Sequence, residues 1–159
     1  MTDMVLPSET NPLNNLFGGE LLARMDRAAS IAARRHSRRI TVTASVNHVA
    51  FNRPVPLGSV VTVEAAVSRA FNTSMEVYID VWMEDRVSGA RLKANEAIYT
   101  FVAVDESGAP TVVPELLPET DLEKSRYDAA LRRKQLSLVL AGRMNPGDAT
   151  ELKALFMAP

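Results

Sequence analysis

Between residues 19 and 35 apolar side chains recur on every flank of a helical repeat. Leu21, Leu22, Met25, Ala28, Ala29, Ile31, Ala32 and Ala33 together cover most of its circumference. The pattern predicts a central helix, largely surrounded, rather than one lying on a surface. Its many alanines carry little volume, so a sheet can approach closely and still pack at native density. Past Arg39 the period changes to two. Residues 40–51 are rich in Val, Thr and Ala and stop at Asn52-Arg53-Pro54. Residues 59–71 alternate Val61, Val63, Ala65 and Val67 against Thr62, Glu64, Ala66 and Ser68. After a turn at Asn72-Thr73-Ser74 the alternation is clearest, Met75, Val77, Ile79, Val81 and Met83 opposing Glu76, Tyr78, Asp80, Trp82 and Glu84. Residues 86–89 turn again, and 90–104 run back with apolar residues on both faces.

Strands of about 11 to 15 residues are twice the usual length. Strands that long, joined by short turns, must coil, and one helix in the hollow covers their apolar side. The expected fold class is α+β: a long curved antiparallel sheet wrapped around a central helix. The doubly apolar last strand implies cover on its second face as well, from another subunit. A connector bearing Pro110, Pro114 and Pro118 leads to a second helix over about 119–141. That helix is acidic at its start (Glu119, Asp121, Glu123) and basic later (Arg132, Arg133, Lys134), as the helix dipole favours. Residues 144–159 read as a weak tail with a short helix after Pro146-Gly147. One domain is expected, with 1–118 as its body and 119–159 as a helical extension packed on it.

Composition narrows the class without selecting a function. A chain of 159 residues that is 47% apolar and 23% charged is an ordinary globular one. A formal net charge of −1 gives no global drive towards nucleic acid or an anionic membrane. Cysteine is absent, which removes disulfides, thiol nucleophiles and thiolate metal sites together and suits a reducing compartment. Residues 1–15 lack the basic and apolar regions of a secretory signal, and no apolar run approaches the length of a bilayer span. The expectation is a cytoplasmic protein with no nucleic-acid or membrane partner.

The candidate chemistry lies early. On a helix starting near Gly19, the side chains within roughly 60° of Asp26 are Gly19, Leu22, Ala23, Ala29, Ser30 and Ala33. Arg24, Arg27, Arg34 and Arg35 fall on other flanks. A carboxylate in a small, largely apolar groove is costly to ionise unless something there uses it. A helix entered through Gly18-Gly19 offers free N–H groups to a substrate oxygen. A base and an oxyanion donor one or two helical turns apart point to hydrolysis; a solvent-facing aspartate and a plain glycine turn are the ordinary alternatives. Asn11, ahead of Pro12, reads by itself as a turn or capping residue. His36 and His48 have no spaced partner for a metal site or a triad, so no metal is expected. No nucleophile-elbow, phosphate-loop or dinucleotide pattern occurs.

Several short stretches recur in a telling order. They are Leu6-Pro7-Ser8-Glu9-Thr10-Asn11, Phe17-Gly18-Gly19-Glu20-Leu21-Leu22 with Met25-Asp26, and Thr41-Val42-Thr43-Ala44-Ser45-Val46. Asn72-Thr73-Ser74-Met75-Glu76-Val77 and Val113-Pro114-Glu115-Leu116-Leu117-Pro118-Glu119-Thr120 follow. In this order the chain resembles hotdog-fold acyl-CoA thioesterases of the brain cytosolic acyl-CoA hydrolase and YciA-like type, over residues 3–135. Residues 143–159 match nothing in that pattern. The resemblance implies hydrolysis of fatty acyl-CoA to fatty acid and CoA without a cofactor. It also implies a homodimer whose two sheets join, assembled further as a trimer of dimers. Sites then lie at the dimer seam, where Asn11 of one subunit faces Asp26 of the other.

In that reading Asp26 is general base or nucleophile, and Asn11 holds the water or the oxyanion. The Gly19 N–H polarises the thioester carbonyl, and Thr43 orients Asp26 or the water. Asn72, Thr73 and Ser74, with the cations Arg69, Arg91 and Lys93, are candidates for the pantetheine and phosphates of CoA. An ordinary hairpin turn accounts for the first three equally well, and most charges like the last three are merely solvated strand faces. Two other readings stay in the same fold: an acyl-CoA-binding regulator without turnover, and a dehydratase. The dehydratase calls for a histidine near the helix entrance, where Asn11 stands instead.

Overall fold

The computed structural model describes residues 1–157; Ala158 and Pro159, the end of the expected tail, lie outside the described residues. Five strands form one antiparallel sheet in the order β1-β3-β4-β5-β2. They are β1 (Thr2–Met4), β2 (Ile40–Ala50), β3 (Val60–Ala70), β4 (Ser74–Glu84) and β5 (Arg91–Val104). Helix α1 (Gly18–Ser37) lies on one face and packs on β2, β3, β4 and β5. This is the hotdog arrangement. The period-two residues do what their alternation predicts: Met75, Val77, Ile79 and Val81 of β4 are fully buried and share one core with Met25, Ala29 and Ala33 of α1. Burying each such aliphatic chain contributes about 1.5–3 kcal/mol. α1 is less surrounded than its sequence predicts, because Ile31 remains exposed on one flank of the single chain.

Two features depart from the expected strand set. β1 has only three residues, too few for a period, and joins the edge through the pairing Thr2↔Thr62 to Met4↔Val60. β2 closes the other edge and, among the described residues, has no neighbour beyond it. Its register on β5 shifts twice, between Thr43 and Ser45 and between Val46 and His48, so Ala44 and Asn47 are bulged. Ile40, Val42 and Val46 on this edge are exposed.

The outer face of the sheet carries α2 (Asp121–Leu140). Thr120 opens it with a reciprocal cap, its Oγ1 accepting from Glu123 N–H while the Glu123 carboxylate accepts from Thr120 N–H. Arg126 binds Asp80 at 2.7 Å, and Arg133 binds both oxygens of Glu76 at 2.7 and 2.9 Å. Ile98, directly opposite Tyr78 on this face, is buried within the single chain. There the cover predicted to come from another subunit is already present. The final helix α3 (Thr150–Met157) packs back on α2, Leu152 N–H donating to Gln135 Oε1 at 2.9 Å. Among the described residues, no helix is long and apolar enough to cross a membrane.

Candidate active site

Asp26 sits where α1 meets the open edge. Its neighbour Met25 fills the core, which turns Asp26 onto the flank beside β2, half-buried. There Thr43 Oγ1 donates to Asp26 Oδ1 at 2.7 Å. Thr43 is aimed by the sheet: it lies directly opposite Phe101, which lies opposite Met75, and directly paired residues share a face. Phe101 and Met75 are fully buried against α1, so Thr43 also points at the helix while its strand stays at the edge. Among the described residues no ion pair engages Asp26. Its charge reaches Tyr99, whose hydroxyl donates to the Leu22 carbonyl at 3.3 Å. Burial first, then the Asp26 charge, push Tyr99 up to about 12, which keeps it neutral.

Phe17 caps α1 without a side-chain hydrogen bond, and the first intrahelical bond runs from Leu21 N–H to Phe17 O. The N–H groups of Gly18, Gly19 and Glu20 therefore precede the ladder and are free to bind an anion. The glycines admit close approach here. A Cβ on Gly19 would stand 2.9 Å from the Phe17 ring, and one on Gly18 would stand 3.7 Å from the Phe51 ring. Both rings are exposed, so this helix entrance is flanked by aromatic surface. Seven residues of α-helix separate Gly19 from Asp26, a rise of about 10.5 Å.

Asn11 opens the turn of a small hairpin. Phe17 N–H donates to Glu9 O, Asn11 N–H to Asn15 O and Asn14 N–H to Asn11 O, all at 2.8–2.9 Å. Asn14 adopts the left-handed conformation that the turn requires, with φ 56°. The Asn11 side chain accepts at Oδ1 from the N–H groups of Leu13 and Asn15. That bonding leaves its NH₂ as the outward group, a neutral donor held in orientation by its own turn. The turn-former and the donor are the same side chain.

The remaining candidates separate. Ser74 pairs with Val102, one position from the Thr43 row, so the 72–74 turn lies at the Thr43 end of the sheet, two strands or about 10 Å away. Its carbonyls at Asn72 and Thr73 accept from Val113 and Ala103; Asn72 is exposed and Thr73 half-buried, but Ser74 is buried, so it is the least accessible of the three candidates. Arg69 is occupied otherwise: it donates to Tyr127 O at 3.1 Å and lies 3.9 Å from the Tyr127 ring centre, holding α2. Arg91 pairs with Glu64 at 2.6 Å over the Trp82 ring, and Lys93 with Asp80 and Glu96 at 2.9 and 2.7 Å. The latter two stand eight and more residues along β5 from Phe101, on the order of 26 Å or farther. None of the three cations is brought to Asp26 within a protomer. His36 Nε2 bonds Pro114 O at 2.8 Å, and among the described residues no group of three His, Asp or Glu is placed to hold a metal.

One buried ion pair beside the site escaped sequence reasoning. Arg24 reads as one more flank cation, yet it is 3% exposed and bound to Glu9 at 2.7 Å. Glu20, Arg27 and Arg35 share its flank of the helix, so periodicity does not set Arg24 apart from them.

Comparison with known proteins gives the site a setting. The profile of the Thioesterase superfamily matches residues 13–90. The uncharacterized acyl-CoA thioester hydrolase YkhA of Bacillus subtilis is 42% identical over 132 residues, 83% of this chain and 77% of that one. Among solved structures, an apo-hexameric acyl-CoA thioesterase superposes with a TM-score of 0.85 at 39% identity, covering 89% of this chain and 90% of that one. An acyl-CoA hydrolase from Staphylococcus aureus, solved with butyryl-CoA, CoA and CoA disulfide, gives 0.82 at 34% identity over 90% and 89%. Solved variants of that hydrolase replace one Asn, one Asp and one Thr by Ala, at positions 15 and 17 residues apart. Those are the separations of Asn11, Asp26 and Thr43.

Proposed function

The chain belongs to the thioesterase superfamily, among its acyl-CoA thioester hydrolases, and from that premise we propose that it hydrolyses fatty acyl-CoA to a free fatty acid and CoA at sites shared between two protomers. Thr43 occupies one oxygen of Asp26 and leaves the other to bind water. Asp26 removes a proton as the water oxygen attacks the thioester carbon. The carbonyl oxygen becomes an oxyanion that accepts from the Gly19 N–H of the partner subunit and from the amide of the partner subunit's Asn11. Preorganised donors of this kind are worth about 3–4 kcal/mol of barrier. The C–S bond then breaks, and the departing CoA thiolate takes the proton from Asp26.

Dividing the site between protomers is supported by the position of Asp26 and Thr43 beside the open β2 edge. The β2 edge supplies the seam: a second copy laid along it joins two sheets into one and covers Val42 and Val46. The hexameric relative supports further assembly into a trimer of dimers. The 72–74 turn, at the same end of the sheet, is the proposed contact for pantetheine or phosphate. Arg69, Arg91 and Lys93 are left out of this reading because each is engaged within the chain.

The observation that carries the proposal is the 2.7 Å bond from Thr43 to Asp26 beside an open strand edge. Thiol release from acyl-CoA of several chain lengths tests it, with a clean signal because the chain has no cysteine. Wild type is expected to release thiol and Asp26→Asn to be slower by about a hundredfold or more. Tight acyl-CoA binding without release would replace the hydrolase with the regulator.

A further inference from the structure

We infer that Arg24 and Glu9 form a strut that positions Asn11 for the reaction, an inference that rests on the site reading just given. Glu9 stands at the base of the Asn11 hairpin, since its carbonyl accepts from Phe17 N–H at 2.8 Å and Asn11 follows two residues later. Arg24 reaches this base from α1. A single nitrogen, Nη2, donates to Glu9 Oε1 and Oε2 at 2.9 and 2.7 Å and to Met4 O at 3.1 Å. The Glu9 carboxylate also accepts from Leu6 N–H at 2.9 Å. One guanidinium therefore ties α1, the tip of β1 and the hairpin base together.

The placement is poorly explained by stability. α1 is already fixed by Leu21, Met25, Ala29 and Ala33 in the core. Arg24 Nη1 is buried without a partner, and the further acid Asp3 lies 3.9 Å from Nη2 and is mostly exposed. A buried ion pair commonly gains nothing over an apolar residue of similar volume, and its best-attested use is to fix register. Here the register is that of the hairpin on the helix carrying Asp26. Through it each chain sets how far its Asn11 reaches towards the partner subunit's Asp26. Asn11 contacts the developing oxyanion, so a loosened strut lowers kcat and leaves KM in place.

Arg24→Met keeps the buried stem and removes the charge. The expected kcat is about tenfold to a hundredfold lower, the penalty of a misplaced group, with KM within about twofold of wild type. In the Asn11→Ala background the same substitution changes kcat by less than about twofold, because it acts through Asn11. Arg24→Lys, which keeps a charge on Glu9, recovers most of the loss. Hydrogen exchange at the Asn11, Asn14 and Asn15 amides accelerates in Arg24→Met while the middle of α1 stays protected. Unchanged kcat, full multiplication in the Asn11→Ala background, or unchanged hairpin exchange would each overturn the strut. If wild type releases no thiol, the site reading fails, and the exchange experiment still decides the strut. Should Arg24→Met not fold, Glu9→Gln carries the same comparisons.

Discussion

At the scale of single residues, the site is made of groups whose neighbours limit what they can do. Gly19 is an instance where stability and activity part. A methyl there meets the Phe17 ring at 2.9 Å, but that ring is exposed and can swing away. Alanine also favours helix over glycine by about 0.5–1 kcal/mol. Gly19→Ala is therefore expected to melt at the wild-type temperature or above it while thiol release falls, because the displaced ring and the new methyl crowd the free N–H. Parallel melting curves and rate measurements check this. Acid sensitivity belongs to the same scale. The hydrogen bond from Arg24, then that from Leu6 N–H, hold the Glu9 carboxyl below its ordinary 4.5. Burial pushes Asp80 up, but its bonds from Lys93 and Arg126 outweigh that and leave it below its ordinary 3.8. A lowered folded pKa contributes stability that is complete above the unfolded value and is lost as pH falls through the folded one. Stability is expected to be level above about pH 4.5 and to drop below it. Glu9→Gln should flatten part of that slope in denaturant titrations at several pH values.

Among the elements, α2 is held in an uncommon way for a helix on a sheet. Only Ala130 and Gln135 of it are buried, and ion pairs from Arg126 and Arg133 to strand acids attach it. Glu76 is 4% exposed, so Arg133→Met leaves a buried carboxylate with Ser68 as its remaining side-chain donor. A loss of about 2 kcal/mol is expected in urea unfolding. β3 and β4 were legible because one face of each is buried, which imposes the period of two, and α2 was legible from its acidic start. β1 was not, since three exposed residues carry no pattern and their pairing partner lies some 60 positions away. Arg69, Arg91 and Lys93 failed as site candidates for a related reason. A cation shows its sign in the sequence, whereas the partners that occupy it (Tyr127, Glu64, Asp80) come from elements the chain brings together only on folding. Gly19 and Asp26 stood out by residue type and spacing, whereas Asn11 by itself read as a turn former and became a candidate through the family resemblance. The link from Thr43 to Asp26 depended on family resemblance before the fold supplied the distance.

For the whole molecule, the two halves of the proposed chemistry sit at different places on the chain. Asn11 and the free N–H groups lie before and at the start of α1, while Asp26 and Thr43 lie about two turns along it and at the edge strand. In the proposed site a second copy brings them together, and mixing two inactive variants tests that directly. Asn11→Ala and Asp26→Ala, each deficient alone, are refolded together in equal amounts. Every mixed dimer then holds one intact site and one doubly altered site. With half the dimers mixed, thiol release should recover to about one quarter of wild type. Activity that stays at the level of the separate variants, although mixed dimers are shown to form, would contradict a site shared across the seam.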